Sequence, residues 1–120
     1  MKPTIDTTSF GSITIAGARF EHDVVINLSG EVVKRKKKLS KAIYGTSHII
    51  SLDEARHVYE DDAEEILIGA GQFGRVKLSE EAERFLREKG CQITLLPTPE
   101  AIRAWNLAAG ATIGLFHVTC

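Results

Sequence analysis

A chain of 120 residues, 43% hydrophobic and 26% charged, has the size and make-up of one ordinary globular domain. It can bury roughly two-thirds of its unfolded surface, and a formal net charge of -1 excludes bulk attraction to nucleic acid or an anionic membrane. Two cysteines, Cys91 and Cys120, are too few for a disulfide framework, and no segment is apolar for long enough to span a bilayer.

Residues 1–36 read as an antiparallel β-meander of about three strands. "SITIAGARF" alternates around a turn at Ala16-Gly17, "HDVVINL" is β-rich, and Ser29-Gly30 turns the chain into "EVVKR". Residues 37–50 read as a linker without a clear period. Residues 51–120 read as an α/β unit. It opens on "SLDE", a capping box in which Ser51 accepts from a first-turn N–H and Glu54 reaches back. "ILI" at 66–68 suits a strand covered on both faces. Ser79 caps the helix "SEEAERFLREKG", and Gly90 stops it. "QITLLP" is the next strand. Thr98 is the expected cap of a helix with Pro99 at its first position, and "TIGLFHV" closes the chain as a strand. The predicted fold class is α/β: an antiparallel meander joined to a parallel β-α-β-α-β unit in one compact layered domain.

In such a unit the helix starts and the strand ends share one edge, the carboxyl edge, where ligands bind in open α/β sheets. Ser51, Ser79 and Thr98 fall there, and so do Gly69, Gly71, Pro97, His117, Thr119 and Cys120. Thr46, Ser47 and His48 precede Ser51 and share the edge. Helix N-termini there offer unpaired N–H groups.

"LIGAGQFGR" places Gly69, Gly71 and Gly74 in the G-x-G-x-x-G spacing of a dinucleotide loop. That loop needs its helix to begin inside the fingerprint, whereas the next helix start is Ser79. Two readings remain open: a tight turn with close backbone packing, and a nest of N–H groups that holds a small anion with Arg75. Phe73, flanked by glycines, is a lid over the site, an anchor for a partner, or a residue folded back onto its own scaffold. "KRKKKLSK" lacks interleaved aromatics and reads as a solvated edge strand and linker, with docking of an acidic protein as the functional variant. Phe85, Trp105 and Phe116 read as core. The four histidines show no metal-ligand spacing, so no metal and no cofactor is expected. His48 and His117 are expected to face each other across the edge and, with Cys120, form a candidate Cys/His catalytic pair. Cys91 begins a strand at the opposite edge, so a Cys91–Cys120 disulfide is not expected.

Several segments together, "SFG", "HDVVI", "YGTSH", "LIGAGQFG", "PTPEAIRAWN" and "HVTC", resemble a small single-domain family of unknown function found in archaea, bacteria and mitochondria. Its animal members include a mitochondrial complex I assembly factor and an adipogenesis-associated protein. The resemblance spans nearly the whole chain. The matching positions are Gly69, Gly71, Gly74, Pro97, Thr98, Glu100, Ala101, Asn106, His117, Thr119 and Cys120. It implies a compact α/β domain with two β layers and no established enzyme activity. The assembly role belongs to mitochondrial relatives, and "MKPTIDTTSF" does not read as a transit peptide.

The sequence-based expectation is therefore a non-catalytic cytoplasmic protein, monomeric or weakly dimeric. It would bind another protein or a small anion, but neither nucleic acid nor membrane, through the carboxyl edge and Phe73. The alternative is a small-molecule binder or enzyme using Cys120 with His117 or His48.

Overall fold

The computed structural model describes residues 2–120. Strands β1 (Ile5–Ser9), β2 (Ser12–Ile15) and β3 (Ala18–Phe20) form a small antiparallel sheet in that order. The hairpin of β4 (Val24–Ile26) and β5 (Val32–Lys34) leaves that sheet and joins a larger one. Then come α1 (Lys38–Tyr44), β6 (Ile49–Ile50), α2 (Leu52–Val58), β7 (Glu65–Ala70), β8 (Lys77–Leu78) and α3 (Glu80–Glu88). The chain closes with β9 (Gln92–Leu96), α4 (Thr98–Leu107) and β10 (Thr112–His117). The larger sheet has the order β5-β4-β10-β7-β9, and β6 pairs in parallel with β8.

Side-chain alternation sets the layers. On β7, Ile66, Ile68 and Ala70 join one core cluster while Leu67 joins the other. On β10, Ile113 and Leu115 join the first cluster and Phe116 the second. Helices α2 and α3 cover the first face through Val58 and Leu86. The small sheet and α4 cover the second face through Ile5, Ile13, Ile15, Ala101 and Trp105. Trp105 and Phe116 meet edge to face at 5.9 Å, as opposed ring quadrupoles favour. Phe85 is half-buried against the first cluster, next to Tyr59.

The α/β class and the parallel β7, β9 and β10 are as the sequence predicts. Three details differ. The expected meander is five strands divided between two sheets, because Val24, Val25 and Ile26 are buried on both faces and need a covered sheet. Residues 37–50 hold a helix and a strand rather than a linker, and Gly45 at φ 71 ends that helix. Thr98 is the first residue of α4, with Pro97 as its N-cap, so Thr98 has another task.

Candidate functional site

Topology gathers the site. Strand β10 is parallel to β7 and antiparallel to β4, and β4 is antiparallel to β5. Strand β5 therefore runs with β10, and the exits of β5, β10, β7 and β9 share one edge with the entry of β4. That edge receives Arg35, Asp23, His117 to Cys120, Gly71 to Arg75, and Pro97-Thr98.

Thr98 ties three of these segments together. Fully buried, it donates from Oγ1 to the His117 carbonyl at 2.6 Å and accepts from the Gly71 N–H at 2.9 Å. Its own N–H donates to the Gly71 carbonyl. The glycines follow from this closeness. A Cβ on Gly69 would sit 2.7 Å from Phe116 Cδ1 and 2.9 Å from Thr98 Oγ1. Gly71 has φ +96, and a Cβ there would lie 2.2 Å from the Cys120 carbonyl carbon. Gly74 faces the Pro97 ring.

The loop N–H groups are already engaged. Gln72 N–H donates to the Thr119 carbonyl, and those of Phe73 and Arg75 donate to the Cys120 carbonyl. The N–H groups that a small-anion nest would use are filled by the chain's own C-terminal segment, which favours the reading of a tight turn with close backbone packing. No helix begins inside the glycine spacing, because β7 runs through this loop into β8 before α3 starts.

On the other side of β10 lies a buried polar cluster. Arg35 is 3% exposed, although its neighbours in the basic run are exposed or half-exposed. Its Nε and Nη2 donate to the two carboxylate oxygens of Glu54 at 2.6 and 3.0 Å. Its Nη1 donates to Asp23 Oδ2 at 2.9 Å, and Nη2 also donates to the Ser47 carbonyl. The expectation of a wholly solvated basic run is thus corrected at Arg35: a planar guanidinium can satisfy two carboxylates at once. Glu54 does not reach back to Ser51 as a capping box requires. Ser51 accepts from the Glu54 N–H, but its own N–H goes to Ser40 Oγ, and the Ser40 hydroxyl donates to Glu54.

Asp23 also binds His117, with Oδ2 2.7 Å from Nδ1, and accepts from the Val118 N–H at Oδ1. Burial alone would raise the Asp23 carboxyl. The hydrogen bond and charge of His117, the Val118 N–H and Arg35 outweigh it and hold the pKa at about 2, below its ordinary 3.8. His117 is 1% exposed, and its other nitrogen, Nε2, lies 3.0 Å from Thr119 Oγ1. His48 meets the His117 ring edge to face at 5.3 Å, as expected. Burial, then the charges of His117, Arg35 and Arg75, lower the His48 pKa. Thr46 Oγ1 accepts from the His48 N–H, and Ser47 contributes its carbonyl to Arg35. Cys120 is half-buried and free, and Cys91 is a buried free thiol. Both His117 nitrogens are occupied by Asp23 and Thr119, so the expected Cys120–His117 pair gives way to an Asp23–His117–Thr119 chain.

An exposed ring pair and a cleft lie at this edge. Phe73 is 69% exposed and Phe10 is 61% exposed, and their rings stand 6.2 Å apart. Gln72 Nε2 donates to Thr8 Oγ1 at 3.0 Å and anchors the loop on β1 beneath them. Gly11, next to Phe10, lines a cleft of about 590 Å³. The walls of that cleft bring Lys34, Arg35, Lys36, Lys37 and Lys38 against only Glu21 and Asp23, with Thr119 among the polar groups. A shallower depression of about 510 Å³ along α3 is lined by Glu80, Glu83, Arg84, Arg87 and Glu88 and includes no strand-end residue. Among the described residues no group of three or more His, Cys, Asp or Glu could hold a metal ion. No helix there is long and apolar enough to cross a membrane.

Sequence reading missed Asp23, Arg35, Glu54 and Phe10. One signal was available for Arg35: it is the sole arginine among lysines, and arginine is the residue suited to a buried bidentate pair. The outer motif residues have structural tasks. Asn106 exchanges two side-chain hydrogen bonds with the Ile5 backbone and fastens β1 to α4.

Solved structures share this architecture. A conserved hypothetical protein from Pyrococcus horikoshii is 31% identical, with a TM-score of 0.88 over 98% of this chain and 99% of that one. A protein called MT938 is 31% identical, with a TM-score of 0.84 over 99% of this chain and 100% of that one. A Bordetella parapertussis protein, 19% identical, shares the fold at a TM-score of 0.78 over 98% of this chain and 96% of that one. A family model described as "Protein of unknown function (DUF498/DUF598)" matches residues 5–113, and with those near-full-length relatives it establishes that this chain belongs to the DUF498 family.

Proposed function

We propose that this protein works by binding a segment of another protein across its carboxyl edge, with Phe10 and Phe73 as paired apolar anchors. The observation that carries this reading is the ring contact of two phenylalanines that both remain largely exposed. Exposed apolar groups that touch each other inside a polar rim are a signature of interaction sites, and aromatic anchors dominate binding energy. The backbone beneath them is fixed in advance by the Gln72–Thr8 bond and by the Cys120 carbonyl, which lowers the ordering cost of docking. The adjoining cationic cleft favours a partner segment in which acidic residues follow the apolar one. Such a protein works in the cytoplasm and needs no cofactor.

Quantitative pulldown with wild type, Phe10→Ala and Phe73→Ala tests the reading. Proteins retained by wild type should bind each variant more than about tenfold more weakly, as loss of an anchor implies. Their retention should also fall as salt rises, because the cleft contribution is electrostatic. Equal recovery by all three proteins removes the aromatic pair from the account.

A further inference from the structure

Docking leaves one arrangement unused. Ionised Asp23 can only accept hydrogen bonds, so the 2.7 Å contact assigns a proton to His117 Nδ1. Nε2 lies 3.0 Å from Thr119 Oγ1, so whenever the ring carries only its Nδ1 proton the hydroxyl can donate to Nε2. Asp23 is itself immobilised by Arg35 and by the Val118 N–H, so the ring cannot turn without breaking a buried network. A base within hydrogen-bond reach of a hydroxyl, oriented by a third group, is the signature of an activated nucleophile. Thr119 is half-exposed and lines the cationic cleft together with the largely buried Asp23, whereas His117 is buried and does not line it.

We propose that Thr119 is an acyl-accepting nucleophile, with His117 as its base and Asp23 as the positioning residue, and that its substrates are esters carrying a carboxylate or phosphate. Thr119 Oγ1 attacks the ester carbonyl carbon as its proton passes to His117 Nε2. The carbon–oxygen bond to the leaving alcohol breaks, and that alcohol takes the proton from Nε2. Water then attacks the acyl-threonine, gives a proton to Nε2 and releases the carboxylic acid. The proton returns to Thr119 Oγ1, and the net change is ester plus water to acid plus alcohol. The substrate's negative charge sits among Lys36, Lys37 and Lys38. Lys37, partly exposed and 3.7 Å from Asp23 Oδ2, lines the same cleft as Thr119.

The test uses the full chain with the p-nitrophenyl monoester of succinic acid, and p-nitrophenyl acetate as the neutral comparison. Wild type should release nitrophenolate about a hundredfold faster than Thr119→Val, the scale of general-base assistance. It should prefer the anionic ester, and peptide mapping after acid quench should find the acyl group on Thr119. Thr119→Ser should retain the activity, and so should Cys120→Ser. Asp23→Asn should lower kcat with KM little changed, as loss of the correct ring tautomer requires. Equal rates for wild type and Thr119→Val, or acylation confined to Cys120 and the lysines, overturns the proposal. If Thr119→Val fails to fold, inactivity of folded Thr119→Ser, or an unmodified Thr119 in wild type, overturns it as well.

Discussion

The basic run after β5 and the glycine loop after β7 leave the same sheet edge on either side of β10, and they treat solvent in opposite ways. The first looks fully solvated but buries a guanidinium between two carboxylates. The second reads as tight backbone geometry but exposes a phenylalanine. In both, the neighbours of β10 decide the outcome. Arg35 is drawn inward because Asp23, at the entry of β4, and Glu54, on α2, are buried and would be costly to leave unpaired. Phe73 is pushed outward because the loop backbone beneath it is filled by Thr119 and Cys120. One segment spends its polar group on cohesion, and the other leaves an apolar group free for contact.

The sharpest way to break this contrast is within the basic run. Arg35→Met strands Asp23 and Glu54 without their shared partner and should cost about 3–5 kcal/mol. Lys36→Met, one residue away and exposed, should stay within about 0.5 kcal/mol. Urea denaturation of the two variants measures the difference. Arg35→Lys should recover only part of the loss, because an ammonium cannot reproduce the fork to Glu54. Equal midpoints for Arg35→Met and Lys36→Met would mean that the cluster contributes nothing.

The glycine loop offers the next effect. Gly71→Ala meets the Cys120 backbone and a left-handed φ together, so about 3 kcal/mol or more is expected. Gly74→Ala keeps the φ strain but faces only a proline ring at 3.2 Å, and about 1 kcal/mol is expected. Thermal melts rank them. The reverse order would detach the loop from the C-terminal segment.

Asp23 links cohesion to pH. Its folded pKa, about 2, lies below the ordinary 3.8. The folded state therefore binds protons more weakly than the unfolded one in that range. The resulting stability, about 2 kcal/mol, is fully present above 3.8 and is lost as pH falls through 2. His48 adds a loss in the same direction at higher pH, because its lowered pKa makes the unfolded chain the better proton acceptor just below the ordinary histidine range. Denaturation midpoints for wild type and Asp23→Asn, followed from neutral pH down to about 2, should converge as Asp23 protonates.

How much of this was legible beforehand follows the range of the interactions. Parallel strands β7, β9 and β10 announce themselves through local apolar runs, and Ser79 and Gly90 mark the ends of α3 through local backbone chemistry. The carboxyl edge follows from connectivity, which is why His48 and His117 were expected to meet. The β4–β5 hairpin could have extended either sheet, and nothing local selects the pairing of Val24 with Phe116. Once that pairing is missed, Asp23 and Arg35 cannot be placed beside His117. Glu54 follows the same rule. The "SLDE" pattern is satisfied equally well by a carboxylate that turns back to Ser51 and by one that turns away to a buried guanidinium.

The smallest expected stability effect is also the one that tests the proposed docking role. Phe73→Ala removes a ring that is mostly in water and touches chiefly Phe10, so stability should change by no more than about 0.5 kcal/mol. The backbone bonds that fix the loop do not involve the ring: Gln72 holds Thr8, and Cys120 accepts from the Phe73 N–H whatever the side chain. The variant therefore keeps the shape of the edge and loses only its apolar tip. If its melting temperature matches wild type while partner retention falls, the ring acts in recognition. If stability falls by 2 kcal/mol or more, on the scale of a buried ring, Phe73 belongs to the scaffold, and the contrast with Arg35 disappears.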